Sequence, residues 1–169
     1  MGREIRMVPP NWDHPKQEGR YDDRLQPMYN KTFEEAAAEW KAEFAAWERG
    51  DRPDYCTDES RLLEFWEWDG GPPDRAYHRP WKDEEATWVQ LWETVSEGTP
   101  VSPPFATKAE LVDYLATKGD FWDQTRGDGP WKREAAERFV ADGWAPSFVV
   151  QRTPTETKIF EARDGGVLR

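Results

Sequence analysis

The chain has 169 residues, 37% hydrophobic and 34% charged, with a formal net charge of −11 and a pI of about 4.7. That balance repels bare nucleic acid and anionic membranes and attracts basic surfaces, and no stretch approaches the roughly 18 apolar residues of a membrane span. Cys56 is the single cysteine, which excludes an intrachain disulfide and a cysteine-based zinc site, whereas 11 Trp, 8 Phe and 5 Tyr point to a core built from rings.

Residues 1–31 read as an irregular N-terminal arm. Its opening, MGREIRMVPPNWDHP, is charged and has no apolar run, unlike a signal peptide, so a cytoplasmic location is expected. REIRMV alternates Glu4/Arg6 with Ile5/Met7, the pattern of a short strand, and Trp12, Tyr21 and Tyr29 can pin the arm to the body. Residues 32–169 read as a single α+β domain. It opens with TFEEAAAEWKAEFAAWERG, in which Thr32 and Glu35 make a capping box. There Phe33, Ala36, Ala37, Trp40, Phe44 and Trp47 form one apolar stripe at helical spacing. TDESRLLEFWEWDGGPP reads as a shorter helix, capped by Thr57 or Asp58 and packing through Leu62, Leu63, Phe65 and Trp66. The polar, Pro-broken run from Asp74 to Glu85 reads as a loop.

TWVQLWETV has the composition of a strand covered on both faces, with Val89, Leu91 and Val95 on one side and Trp88 and Trp92 on the other. Glu93 falls on the Val/Leu side, where a carboxylate needs water or a partner. After it, Gly98 is the position best suited to positive φ, and Pro100, Pro103 and Pro104 force an extended path anchored by Val101 and Phe105. TKAELVDYLATKG is a helix with a Thr107–Glu110 capping box and Leu111, Val112 and Leu115 inside. GDGPWKREAAERFVADG is the last helix, with Pro130 at its first position. WAPSFVVQRTPTETKIFEARDGG reads as two strands, Ser147–Arg152 and Thr157–Ala162. The sum is an α+β fold of about four helices packed on a small, mostly antiparallel sheet with an aromatic-rich core.

No catalytic constellation emerges. A Ser-His-Asp or Cys-His arrangement can draw only on His14 and His78, carboxylates are so abundant that a glycosidase-like pair is neither supported nor excluded, no Gly-rich phosphate loop occurs, and no carboxylate spacing matches a zinc or calcium site. No catalytic residue, metal or cofactor is therefore assigned, and whether the chain is an enzyme stays open. A candidate loop site comprises His78, between Arg75 and Arg79, with Glu93, Glu97 and Ser102. Asp51–Asp69 carries seven acids against Arg52 and Arg61, and the Phe33–Glu48 helix carries five Glu against one Lys. Glu34, Glu35, Glu39, Asp58, Glu59, Glu64, Glu67 and Asp69, with Asp83, Glu84 and Glu85, make a candidate acidic face. Such a face can imitate phosphate in a basic groove. Helical acids at these spacings also serve as a plain solvated surface.

GREIRMVPPNW (Gly2–Trp12), QLWETVSEGTPVSPPFATKAELVDYL (Gln90–Leu115) and GWAPSFVV (Gly143–Val150) resemble a family of uncharacterised proteins from tailed-phage and prophage genomes. Similar proteins carry paired C-x-x-C modules in the middle; here an acidic, Trp-rich block from Thr32 to Glu85 takes that place. The resemblance implies an accessory protein in the host bacterial cytoplasm. It would bind and inhibit a host defence or nucleic-acid-handling complex with a basic surface, as anti-CRISPR proteins do, without binding nucleic acid directly. The alternatives are a nucleotide or small-ligand binder or enzyme of counter-defence, and an accessory of phage assembly.

Overall fold

A computed structural model describes residues 2–17, 24–95, 97–146, 148–153, 156–161 and 163. The chain folds as two compact units, Met1–Pro27 with Trp81–Arg169, and Met28–Pro80. The strands are β1 (Gly2–Val8), β2 (Tyr29–Thr32), β3 (His78–Arg79), β4 (Trp88–Glu93), β5 (Thr99–Pro100), β6 (Trp144–Pro146), β7 (Phe148–Arg152) and β8 (Thr157–Glu161). The helices are α1 (Phe33–Glu48), α2 (Phe65–Asp69), α3 (Lys108–Lys118), α4 (Phe121–Arg126) and α5 (Arg133–Asp142). The fold is α+β, and among the described residues no helix is long and apolar enough to cross a membrane.

The first unit is built on a four-stranded antiparallel sheet of order β5-β4-β1-β6. The opening strand is thus central: β1 runs in register with β4 from Arg3↔Glu93 to Val8↔Trp88 and pairs with β6 on its other edge. The strand expected over REIRMV forms within β1: Ile5 packs against the helix-side core, Arg6 is buried on the opposite face, and Met7 is exposed. On one face Val89 and Leu91 pack with Leu111, Leu115, Trp131, Ala136, Phe139 and Val140 from α3, α5 and the segment before α5. On the other lie Arg6, Gln90 and Trp92. Val95 falls beyond β4 and is exposed rather than inside.

The capping boxes at Thr32–Glu35 and Thr107–Glu110 form as the sequence implies. The last helix starts later than expected. Residues 130–132 stay extended because Trp131 inserts into the core, its amide donating to Leu115 O (2.9 Å) and its indole to Asp123 Oδ2 (2.7 Å). Helix α4 is an element the apolar pattern does not announce. A separate antiparallel pair, β7–β8, follows β6; Ser147 and Ala162, assigned above to these strands, lie outside the described residues, as does Tyr21.

The second unit centres on an aromatic cluster. Phe65, 1% exposed, has Trp40, Phe44, Trp47 and Trp68 around it at centroid distances of 5.3, 5.7, 5.8 and 6.2 Å. Trp47 stacks on Trp68 at 4.8 Å and donates its indole N–H to Leu63 O. The expected second helix is a 3-10 turn at Ser60–Leu62 followed by the short α2. Its packing set shrinks to Phe65: Leu62, Leu63 and Trp66 are exposed. The expected loop 74–85 contains β3, which pairs in parallel with β2.

Candidate partner-binding surface

The four residues of the candidate loop site fall in different places. His78 belongs to the second unit, where it is buried in β3 rather than lying in a loop; its Nδ1 is 3.2 Å from Lys31 O, and the Tyr29 ring lies 5.2 Å from its ring, tilted by 30°. Glu93, Glu97 and Ser102 belong to the first unit. Glu93 accepts from Trp122 Nε1 (2.9 Å) and Thr99 Oγ1 (2.8 Å), so the inward carboxylate has partners within its own chain. Ser102 performs a backbone task. Its hydroxyl accepts from the Leu91 amide at 3.0 Å and its carbonyl accepts from Gln90 Nε2 at 2.8 Å. This satisfies β4 beside Pro103 and Pro104, which have no N–H to offer. Glu97 contributes its carbonyl, which accepts from Arg6 Nη2 at 3.1 Å.

Arg6 and Trp92 organise the face of the sheet opposite the helices. The Arg6 guanidinium lies 4.3 Å from the Trp92 ring centroid and pairs with Glu4. Burial draws its pKa down, and Glu4 opposes that. Gly98 closes this site at φ +97°, where an added Cβ would stand 2.5 Å from Arg6 Nη2 and 2.9 Å from Glu93 O. Gly98→Ala therefore combines backbone strain with a clash. Its expected cost is about 1–3 kcal/mol, read as a lower midpoint in urea unfolding; an unchanged midpoint would show that the loop relaxes freely.

His14 completes this face. Trp12 Nε1 donates to His14 Nδ1 (3.2 Å), and His14 Nε2 lies 2.7 Å from Gln26 O. An indole only donates, so these contacts require the neutral ring with its proton on Nε2. Burial draws the imidazole below its usual range; Arg6 reinforces this, while the Gln26 carbonyl and Asp13 oppose it. The neutral ring's contribution to stability is thus complete above the unfolded value of 6.5 and is lost as pH falls through the lower folded value. Across that window the melting temperature of the wild type is expected to fall more than that of His14→Gln. Parallel curves would remove His14 as the cause.

The acidic residues separate into two classes. Of the five carboxylates on α1 three are engaged: Glu34 pairs with Arg75 at 3.0 Å, Glu35 caps Thr32 and lies 3.8 Å from Arg79, and Glu39 pairs with Lys31. The Glu34 carboxyl lies below the usual range through its own backbone amide and Arg75, and that of Glu35 through the Thr32 hydroxyl and amide. Asp58, Glu59, Glu64, Glu67 and Asp69 are exposed. Among the described residues no basic side chain forms an ion pair with any of these five. Glu67 Oε2 accepts from the Glu64 amide at 3.0 Å at the start of α2, so this carboxylate is held in place without being neutralised. Asp83, Glu84 and Glu85 sit on an exposed 3-10 turn of the first unit.

The residues that sequence reasoning missed lie beside α4. Asp120 Oδ1 accepts from the amides of Trp122 (2.8 Å) and Asp123 (3.0 Å), and its Oδ2 accepts from Arg3 Nε at 2.8 Å. Burial raises the pKa of Asp123, although Asp120 N, Trp131 and Arg163 favour its charge. The Asp-x-x-Asp spacing at 120–123 is a capping signature and was the available signal. Comparison with protein-family models found no match, and comparisons with curated proteins and with solved structures found none either.

Proposed function

We propose that this chain is a phage-encoded acidic accessory protein that binds and blocks a host defence or nucleic-acid-handling complex through the second unit, in the manner of an anti-CRISPR protein. The observation that carries this reading is the block of unneutralised carboxylates at Asp58–Asp69. Charges already paired within the chain attract a partner weakly, whereas exposed unpaired charges of one sign steer a basic surface into contact. The motif resemblance supplies the phage setting and the host cytoplasm. Glu93, Glu97 and Ser102 hold the sheet and its loop together, so this reading does not draw on them.

The test is co-purification of the tagged full chain from phage-infected host cells. A complex with a basic surface is expected with the wild type and is expected to be absent with the triple variant Glu59→Lys, Glu64→Lys, Glu67→Lys. Because Glu67 also accepts from the Glu64 amide at the start of α2, the control is Glu59→Gln, Glu64→Gln, Glu67→Gln, which keeps that acceptor, removes the charge and is expected to lose the complex as well, with an unchanged far-UV circular dichroism. Retention of the same complex by the folded variant would remove this surface from the function.

A further inference from the structure

We infer that the second unit's recognition surface has an apolar centre, Leu62 and Trp66, and that its occupant is a protein surface with an aliphatic or aromatic pocket bordered by Lys and Arg. The inference rests on the binding role proposed above and deepens it. Between Asp54 and Asp69 only Cys56 and Phe65 are buried, while Tyr55 is 78%, Leu62 87%, Leu63 40% and Trp66 52% exposed. Apolar surface stabilises a fold only where it leaves water, so folding gains little from these residues where they stand. Single exposed apolar residues are ordinary, whereas a concentration of them marks an interaction surface, and four stand on the one short segment from Tyr55 to Trp66.

The patch is held in place from beneath. Leu63 O accepts from Trp47 Nε1, Tyr55 stacks on Trp68 at 6.1 Å, and Phe65 anchors the turn that carries Trp66. Thr57 and Ser60 fix the turn leading to Leu62, with Thr57 Oγ1 accepting from the Ser60 amide at 3.1 Å. A backbone ordered before contact loses little freedom on binding, and Trp is enriched among the residues that dominate interface energy. Asp58, Glu59, Glu64 and Glu67, all exposed, flank Leu62 and Trp66 along the chain against the single base Arg61.

Charge decides the occupant. A second copy pairing patch to patch would bring the same carboxylates face to face, which like-charge repulsion disfavours. A nucleic acid meets the same repulsion. A pocket edged by Lys and Arg satisfies both the apolar centre and the flanking acids. This differs from phosphate mimicry, in which affinity would be electrostatic throughout.

The probe is an array of immobilised peptides of four kinds: Leu/Ile centre with Lys/Arg flanks, Leu/Ile centre with Ser flanks, Lys/Arg alone, and Leu/Ile centre with Asp/Glu flanks. The full chain is expected to bind the first kind best. The double variant Leu62→Ser, Trp66→Ser is expected to bind it at least ~10-fold more weakly, with an unchanged melting temperature. Equal binding of Lys/Arg-only peptides, lost on reversing Glu59, Glu64 and Glu67 but indifferent to Leu62 and Trp66, would overturn the apolar centre and leave the electrostatic role standing. Absence of binding to any basic peptide would overturn both. Concentration-dependent dimerisation abolished by the double variant would assign the patch to a second copy and overturn the inference.

Discussion

Replacing Asp120 with Ala is expected to lower the stability of the first unit by about 3–5 kcal/mol, the range for removing one member of a buried ion pair. The Asp120 side chain is 2% exposed and Arg3 12%, so water replaces little of what is lost. Two further bonds go with it, since the same carboxylate caps two amides of α4, and cap removal alone costs about 1 kcal/mol. Arg3 stands on β1, so the loss reaches the central strand as well as the short helix. Asp120→Asn keeps an acceptor for the amides while removing the charge, and its cost is expected to be smaller. Urea unfolding followed by tryptophan fluorescence measures both variants. A loss below about 1 kcal/mol for Asp120→Ala would show that Arg3 regains water or another acceptor at little cost, and would contradict a fold that depends on this pair.

The second large effect is expected from Phe65→Ala, at about 3–5 kcal/mol for a buried ring replaced by a methyl group. Phe65 is the hub around which Trp40, Phe44, Trp47 and Trp68 are arranged, and Trp47 and Cys56 are the other buried members of that cluster. So lean a core has few neighbours able to fill the void. Hydrogen exchange is expected to accelerate across α1 and α2 while the amides of β1 and β4 keep their protection. Equal acceleration in the sheet of the first unit would contradict a core confined to Met28–Pro80.

Much of this architecture is legible in the sequence because its signals are local. Thr-x-x-Glu before an apolar run marks the starts of α1 and α3, and the Val/Leu against Trp alternation marks β4. Gly98 takes the positive φ assigned to it. The misreadings share a physical cause: they depend on what covers a residue, which spacing does not encode. Alternation alone leaves open which way Arg6 faces, and Trp92 and the Glu97 carbonyl enclose it. Leu62 and Trp66 read as packing residues because they are apolar, yet the segment is a single turn and a short helix that turns only Phe65 inward. Helix α4 is too short to show a period, and β3 gains its identity only through distant β2. For the candidate surface, composition shows where acids are dense, but only geometry separates Glu34, Glu35 and Glu39 of α1, which have partners, from the unpaired acids at Asp58–Asp69.

The most direct test of that block is the salt dependence of binding. The affinity of the full chain for the complex that co-purifies with it should be measured from about 50 mM to about 500 mM NaCl, a range over which the Debye length shrinks from about 14 Å to about 4 Å. Affinity is expected to fall steadily with salt in the wild type, and binding by the Glu59→Lys, Glu64→Lys, Glu67→Lys variant is expected to be lost even at the lowest salt. An affinity that stays constant across the range, or that the folded triple variant retains, would contradict a partner held by the acidic surface of the second unit.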